Sequence, residues 1–390
     1  MDACLTCLAL KGDSMKNTKH LLLLQILTLI FICAPTHCLA TEMQIQPGAT
    51  FDWWKDNHNA SASQLTFPLQ FTGTMDNLSF RLITAFTSTS LSTGSKDISM
   101  SGLLDTKIGA TYRLSDKLPF ELLLGLDFNL PTGKTKLTSD ETRLVMDPDL
   151  LPINSYGEGF NVNPTITIAK GWNNWTFALG LGYLWRGSYD FSTELKDYQP
   201  GIIFNTVAEA RYYYQAKSYA KIFTGYTIYG TDTANGKDLL EEGDVFQIGV
   251  SVVHAINSGL KLTAGLREIM RGGVKDYSKS KAEQNQNAYN GDETIIDLGG
   301  SYALDSKTTL TVPLQLRFMA DNGNSGDSHV GAKQKFSLGA GVTREITPIL
   351  FADFTLKGYY KHDDPTRIPE TYDARTFTGV GIAASLTGTF

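Results

Sequence analysis

Apolar and polar residues alternate with a period of two along most of this chain. The clearest stretch is PFELLLGLDFNLPTG, residues 119–133. Its even positions form one wholly apolar face, made of Phe120, Leu122, Leu124, Leu126, Phe128 and Leu130. The odd face carries Glu121, Leu123, Gly125, Asp127 and Asn129. Successive side chains of a β-strand point to opposite sides of the sheet, so the pattern predicts a strand with one apolar and one largely polar face.

The same alternation recurs through the chain. It is found at residues 64–72, 78–82, 107–114, 175–186, 260–267, 310–318 and 379–390. No apolar run after residue 40 reaches the ~18 residues of a transmembrane helix. The sequence therefore predicts an all-β protein, either a soluble β protein of several domains or a membrane barrel.

The connections between these strands alternate in length. Short connections are predicted at 73–77, 115–118, 171–173, 215–217, 257–259, 305–307 and 346–348. Long connections are predicted at 56–61, 87–99, 131–158, 187–199, 230–242, 271–292, 321–330 and 361–371. Together they join sixteen strands, of which the first, at about 43–55, has the weakest pattern; fourteen strands also fit. Short periplasmic turns and long extracellular loops are typical of transmembrane antiparallel β-barrels.

Residues 1–40 have the layout of a secretory signal peptide. Lys16 and Lys19 precede an apolar run at 21–33, and the small residue Ala40 marks the expected cleavage site. The run is too short to span a membrane. Met15 fits the start of the charged segment better than Met1, so residues 1–14 are read as a misassigned start. Residues 41–390 are then one barrel domain.

Removing this leader changes the chemistry that the chain can carry. All four cysteines lie in it, so the mature chain has no disulfides and no thiolate or cysteine-based metal site. The mature chain keeps 31 basic and 38 acidic residues, a net charge of −7, which gives no indication of a nucleic-acid partner. No cofactor motif is present, and no metal site is expected.

Three features favour the outer membrane of a Gram-negative-type bacterium over a soluble protein. The polar strand faces are rich in Gly, Thr and Ser, as a crowded lumen would be. Aromatic residues gather near strand ends, as in interfacial girdles: Trp172, Trp175, Trp185, Tyr212, Tyr214, Tyr359 and Tyr360. The last strand ends on Phe390, which resembles the signal by which barrel-insertion machinery recognises its substrates. Expected contacts are therefore membrane lipid, that machinery and small solutes, with a homo-oligomer left open.

The polar faces define an expected pore lining. Its basic members are Arg81, Lys107, Arg113, Arg211, Lys221, Lys261, Arg267, Arg317, Lys335 and Lys357. Its acidic members are Asp105, Glu121, Asp127, Glu209, Asp297 and Asp353. An excess of fixed positive charge would favour anionic or polar solutes. The alternative is that opposite charges pair across strands and hold the barrel in shape.

The longest predicted loop, 131–158, is a candidate constriction. Its charged residues are Asp140, Glu141, Arg143, Asp147 and Asp149. The loop either folds into the lumen and narrows it or remains solvated outside the cell. Its acids lack the fixed spacing of a known calcium loop, so solvation is the favoured reading of them.

Two segments resemble a known family. GLLDTKIGATYRL, residues 102–114, followed by LLLGLDFNLPTG, residues 122–133, is similar to the barrel family named for the MetA pathway of phenol degradation. In that family, a strand with a Gly-x-x-Asp opening precedes one that ends in Pro-Thr-Gly. The resemblance implies an outer-membrane channel for aromatic or other hydrophobic compounds, and it implies no catalytic residues.

Three functions are compared on this basis. The leading hypothesis is a channel that passes small polar or aromatic solutes by diffusion through a charged lumen. A second is a structural sheath around a partner such as a periplasmic cytochrome, whose haem would come from another chain because CxxCH is absent. A third is an outer-membrane enzyme, but the histidines after the leader (His58, His254, His329 and His362) have no identifiable Ser partner.

Overall fold

The structure is a computed structural model that describes residues 42–115, 118–279, 285–287, 289–368 and 371–390. The predicted signal peptide lies outside the described residues, and its prediction stays untested. Within the described ranges, no helix is both long and apolar enough to cross a membrane.

The described chain is built almost entirely from strands. They are β1 (Glu42–Asp56), β2 (Ser61–Met75), β3 (Leu78–Ser92), β4 (Asp97–Leu103), β5 (Thr106–Leu114), β6 (Glu121–Leu130), β7 (Asn161–Trp172), β8 (Trp175–Arg186), β9 (Tyr198–Gln199), β10 (Ile203–Gln215), β11 (Ser218–Tyr229), β12 (Thr231–Ala234), β13 (Lys237–Glu241), β14 (Val245–Ala255), β15 (Leu260–Arg271), β16 (Val274–Asp276), β17 (Asn285–Gln286), β18 (Glu293–Ala303), β19 (Thr308–Met319), β20 (Lys333–Thr347), β21 (Leu350–Asp363) and β22 (Arg375–Thr389). One short helix, α1 (Ser139–Thr142), and a 3₁₀ turn (Gly326–Ser328) complete these elements.

The main sheet closes into a barrel of sixteen antiparallel strands. Both β4 and β5 pair with β3, so they are two halves of one strand that bends between them. The first strand pairs with β2 on one side and with β22 on the other, which closes the ring. The predicted strand number and the predicted first strand are therefore confirmed. Closure leaves no sheet edge whose backbone groups lack partners, as a membrane requires.

Turns and loops lie at opposite ends of the barrel, which we call the turn end and the loop end. The turn end has tight hairpins such as 76–77 and 173–174, where Asp76 and Asn173 take left-handed φ values of 50° and 52°. These residue types tolerate that conformation better than most. At the loop end, β9, β12, β13, β16 and β17 form a separate five-stranded sheet.

Two connections predicted as long are short. The predictions of loops at 56–61 and 87–99 are wrong in length, because the neighbouring strands continue to four-residue turns at 57–60 and 93–96. Residues 87–92, TSTSLS, lie within the second of these predicted loops and are rich in Ser and Thr. Threonine also suits strands, and Thr87 and Thr89 are completely buried on the inner face.

The two faces of the barrel wall meet different surroundings. The outer face is apolar and exposed, as at Phe67, Ile222 and Leu356, which are 47%, 48% and 48% exposed. The inner face is crowded: a Cβ added to Gly109 would lie 2.0 Å from the Asp127 Oδ1. A closed barrel with an apolar outer face spans the outer membrane, with that face in contact with lipid.

Candidate functional site

Charged side chains line the lumen from mid-height to the turn end. Arg113, Glu121 and Lys261 are exposed inside the barrel near the turn end. Lys107 and Asp297 are exposed near mid-height. These five predicted pore-lining residues therefore lie on the inner face of the barrel with exposed side chains.

Other predicted lining residues pair across the wall. Arg81 of β3 donates to Asp127 of β6 at 3.0 Å, across Gly109 of the intervening strand β5. Near mid-height, Glu209 accepts from Arg211 at 2.6 Å and from Lys221 at 3.3 Å. Pairing of opposite charges, the structural alternative from the sequence, thus accounts for these residues.

Two further lining residues, and Asp297 from the first group, make neutral contacts or lack a hydrogen-bond partner in the described part of the chain. Asp297 accepts from Gln315 at 2.8 Å, and Asp353 accepts from Thr343 at 2.6 Å. Arg267 also faces inward, and its Nε is buried without a hydrogen-bond partner among the described residues.

The segment 131–160 enters the lumen at the loop end and contacts the wall on several sides. Gln64 of β2 donates to the Ile153 carbonyl at 2.8 Å and accepts from its N–H at 2.9 Å. Tyr359 of β21 donates to the Leu150 carbonyl at 3.1 Å. Tyr156 of the segment donates to Thr89 of β3 at 2.8 Å. We call residues 131–160 the infolded loop.

The root of the infolded loop is fixed by one carboxylate. Asp105 lies at the bend between β4 and β5 and accepts from the N–H groups of Gly133 at 2.8 Å and Glu158 at 2.7 Å. It also accepts from Asn129 at 2.6 Å. A Cβ on Gly133 would lie 1.8 Å from the Tyr156 carbonyl oxygen, so only glycine fits there.

The two motifs that suggested a family resemblance therefore meet at this root. The Asp of Gly-x-x-Asp is Asp105, and the glycine of Pro-Thr-Gly is Gly133. Thr132 of the same motif also takes part: its hydroxyl accepts from the Thr106 N–H at 2.8 Å and donates to the Leu104 carbonyl at 3.0 Å. Asp105, predicted to line the pore, is buried under the loop instead.

The tip of the infolded loop, residues 147–151, carries two carboxylates that pair with strands β19, β20 and β21 of the wall. Arg317 donates to the Asp149 carboxylate, and Lys335 reaches the same carboxylate at 3.3 Å and also donates to the Asp149 carbonyl. Asp147 lies 3.4 Å from the Nζ of Lys361 and 3.7 Å from that of Lys333. Two of the five predicted constriction residues are thus brought to the wall.

The other three predicted constriction residues lie elsewhere in the loop. Asp140 pairs with Lys96 at 2.5 Å, and Glu141 pairs with Lys134 and completes the capping box of α1. Burial raises the pKa of Glu141, but the bonds from Lys134 and the cap outweigh it, so the pKa is lowered. Arg143 is exposed.

The wall behind the tip holds buried ion pairs. The carboxylate of Glu293, 1% exposed, accepts from Arg271 at 2.7 Å and from the Nε of Arg317 at 2.7 Å. Lys361, also 1% exposed, donates to Asp363 at 2.6 Å. Charges this deeply buried are stable only when they are paired.

An apolar cluster also lies between the infolded loop and the barrel wall. Leu144 and Leu151 of the loop share it with Trp54 and Phe377 of the wall. The two aromatic rings meet edge to face at 5.4 Å. Tyr359, predicted in an interfacial girdle, is also buried in this cluster, so that prediction is wrong for this residue.

Five charged residues of the wall, at the loop-end termini of their strands, were absent from the predicted pore lining. Arg271, Lys361 and Asp363 fell within segments predicted as loop, and Glu293 and Lys333 stood just outside such segments. All five continue the inward parity of their strands, so longer strands would have included them.

The structure also shows the surroundings of His254, one of the four histidines considered for the enzyme hypothesis. His254 faces outward, with its ring stacked on Tyr214 and its Nδ1 3.1 Å from the tyrosine hydroxyl. Its partner is thus a tyrosine rather than a serine. Among the described residues, no group of three or more His, Asp or Glu is placed to hold a metal ion.

Several solved structures are similar to this chain in fold. Pseudomonas aeruginosa OpdK, solved with vanillate, shares 10% identity at a TM-score of 0.46, with 89% of this chain and 99% of that chain covered. The CymD monoaromatic hydrocarbon channel shares 11% at 0.43, with 90% and 89% covered. An outer-membrane channel from Pseudomonas putida F1 shares 16% at 0.39, with 62% and 91% covered. At these identities and TM-scores, the likeness says nothing about the solute of this chain.

Sequence comparison gives the family. Among curated proteins, none matches this chain. A family model matches residues 60–282, which is more than half of the chain. The matched range includes the infolded loop and both motifs at its root. The chain belongs to the family described as "Putative MetA-pathway of phenol degradation".

Proposed function

We propose that this protein is an outer-membrane channel that passes small polar or aromatic solutes by diffusion. The observation that carries the proposal is the set of exposed charges inside the barrel, including Arg113, Glu121 and Lys261. Charged side chains left without partners in a protein-filled interior would be costly. Their exposure therefore supports a water-filled path through this part of the lumen.

The infolded loop would act as the constriction of this path. It contacts β2, β3, β19, β20 and β21 from inside the barrel, so a solute entering from the loop end must pass beside it or move it. Fixed charges near a constriction bias which ions pass. The loop tip and the wall supply those charges where they contact each other.

The wall facing the tip supports a preference for anions. Its inward basic residues are Arg271, Arg317, Lys333, Lys335, Lys357 and Lys361. Its inward acids are Glu293, Asp363 and Asp52. The wall is thus cationic by itself, and only the loop carboxylates bring it close to balance.

Single-channel recording of the refolded chain from residue 41 in planar bilayers tests the proposal. Stable open steps in KCl are expected, with a reversal potential that indicates anion preference. A folded barrel without steps would overturn the channel proposal and would favour a lumen filled by a partner. Heat-modifiable migration on gels provides the control for folding.

A further inference from the structure

We propose that Arg317 and Lys335 form a carboxylate-binding site that the loop's own Asp149 occupies, and that a solute with a carboxylate and an apolar body displaces the loop tip to enter. This inference rests on the proposed channel function and names its solute class. The site lies at the loop end, between the infolded loop and strands β19 and β20.

The contacts of Asp149 are those of a bound carboxylate. One guanidinium nitrogen of Arg317 and the ammonium of Lys335 converge on the same oxygen, Oδ1. The carboxylate side chain is only 12% exposed, and that of Lys335 is 10% exposed. Arginine and lysine donors that converge on one carboxylate make charge-assisted hydrogen bonds, which are stronger than neutral ones.

The site is positioned before any ligand arrives. Glu293 holds the Nε and the other terminal nitrogen of Arg317, which leaves Nη1 to point at Asp149. The Lys335 ammonium lies 4.8 Å from the centre of the Tyr359 ring, a cation–π contact that orients it. Both cations therefore keep a contact with the wall when the loop tip leaves: Arg317 keeps Glu293, and Lys335 keeps the Tyr359 ring.

The requirement for an anion follows from the charge of the wall. If the tip leaves, Asp147 and Asp149 leave with it, and Lys335, Lys333 and Lys361 lose their loop counterions. Lys335 is 10% exposed and keeps no carboxylate partner among the described residues, and a buried cation without a counterion is costly. An anion that replaces the tip carboxylate removes that cost, whereas a neutral solute does not.

The requirement for an apolar body follows from what adjoins Asp149 in the chain. Leu151 is 1% exposed and belongs to the apolar cluster that includes Trp54, Tyr359 and Phe377. The tip thus presents a carboxylate followed by aliphatic groups to a pair of cations beside aromatic rings. An aromatic or aliphatic monocarboxylate offers the same two features in one small molecule.

The exchange is confined to the tip, because the root has its own anchor. Asp105 holds Gly133 and Glu158, one near each end of the infolded loop. Displacement of residues 147–151 therefore leaves these bonds in place. The loop is expected to move as a gate on a fixed root.

Calorimetric titration of the refolded barrel with benzoate tests this inference, with benzamide as the neutral isostere and inorganic phosphate as a second anion. Wild-type protein is expected to bind benzoate and not benzamide. Asp149→Asn is expected to bind benzoate roughly tenfold more tightly, because the competing internal carboxylate is gone and the binding-competent fraction rises. Lys335→Gln is expected to lose binding.

Asp140→Asn is the matched control, since Asp140 lies in the same loop and pairs only with Lys96 in the described contacts. Its affinity for benzoate should equal that of wild type. Equal affinities for Asp149→Asn and wild type, or equal binding of benzamide and benzoate by wild type, would overturn the inference. Phosphate binding that tightens as much as benzoate binding would overturn the carboxylate assignment.

Conductance in KCl separates this inference from the proposed function. A barrel that shows open steps but no effect of Asp149→Asn on benzoate affinity overturns only the self-occupied site. A barrel without open steps overturns the channel itself. The wild-type comparison of benzoate with benzamide needs no variant, so a folding failure of Asp149→Asn leaves the inference open to refutation.

Discussion

Two ion pairs inside the same barrel meet very different amounts of water. Lys361 and Asp363 lie 2.6 Å apart at the loop end, with side chains 1% and 4% exposed. Arg81 and Asp127 lie 3.0 Å apart near the turn end, with side chains 56% and 29% exposed. Both pairs face the lumen, and the infolded loop covers only the first. The infolded loop therefore shields the loop-end part of the lumen and leaves the turn-end part exposed. Loss of an ion pair should cost different amounts of free energy in the two parts.

Removing the tip should have the largest effect on this difference. Replacement of residues 144–152, the tip and its flanking residues, by a short Gly-Ser linker removes Asp147 and Asp149. It also removes Leu144 and Leu151 from the apolar cluster. Single-channel conductance should rise several-fold, because the loop end would become as wet as the turn end. Shortening the external hairpin 231–241 is the control and should leave conductance near the wild-type value. Equal conductance in all three proteins would show that the loop does not limit flow.

The ion pairs themselves provide a matched test of stability. Lys361→Met leaves the buried Asp363 without its cation and leaves Asp147 with Lys333 alone, so the free energy of unfolding should fall by about 3–5 kcal/mol. Arg81→Met breaks a pair in contact with water and should cost only about 0–1 kcal/mol. Urea unfolding of the refolded barrels measures both. Losses of similar size would mean that the two halves of the lumen are equally wet.

Loss of the anchor at the loop root should cost less free energy than loss of the buried ion pair. Asp105→Ala leaves the N–H groups of Gly133 and Glu158 without their acceptor, at a cost of about 1–3 kcal/mol to the local structure. The infolded loop should then be cleaved faster in limited proteolysis, while the barrel strands stay protected. Asp105→Asn, which keeps one acceptor oxygen, should lie between this variant and wild type. Unchanged cleavage would remove Asp105 as the anchor.

Acidity should have the smallest effect over the ordinary range. Burial raises the pKa of Asp147, but Lys361 and Lys333 outweigh it and hold the pKa below its usual value of 3.8. Asp363, paired with Lys361, and Asp149 are the other charged groups around it. A lowered pKa in the folded protein stabilises the closed tip above pH 3.8, and that contribution is lost as pH falls through the lowered value. Conductance should therefore be flat from pH 8 to pH 5 and rise only in stronger acid; a rise near pH 6 would contradict this assignment.

The period of two was enough to predict the barrel and most of its two faces. The parity of residues 119–133 placed Glu121 and Asp127 inside, and the alternation of short and long connections gave sixteen strands. Strand ends were harder to predict, because Ser, Thr and charged residues there are equally common in loops. Thr89, Lys361 and Asp363 belong to longer strands, whose ends are fixed by pairing with the adjacent strands rather than by their own residue types.

The site was less predictable than the barrel. The charges of the infolded loop indicated a constriction, but its path depends on contacts with strands that follow about 170 to 190 residues later, such as those of Asp149 with Arg317 and Lys335. The pairing of Asp105 with Gly133 was equally hidden, although both belong to the motifs behind the family resemblance. The motifs identify both residues in the sequence. Only the folded backbone shows that the Asp105 carboxylate accepts a hydrogen bond from the Gly133 N–H.

Accessibility of single cysteines tests the division of the lumen most directly, since residues 41–390 contain none of their own. Thr89→Cys places a thiol in the covered half, where Thr89 is 0% exposed, and Thr111→Cys places one on the exposed inner face near the turn end. A small water-soluble thiosulfonate should label position 111 quickly and position 89 slowly, and loss of the loop tip should remove most of this difference. Equal labelling rates in the intact barrel would contradict the account.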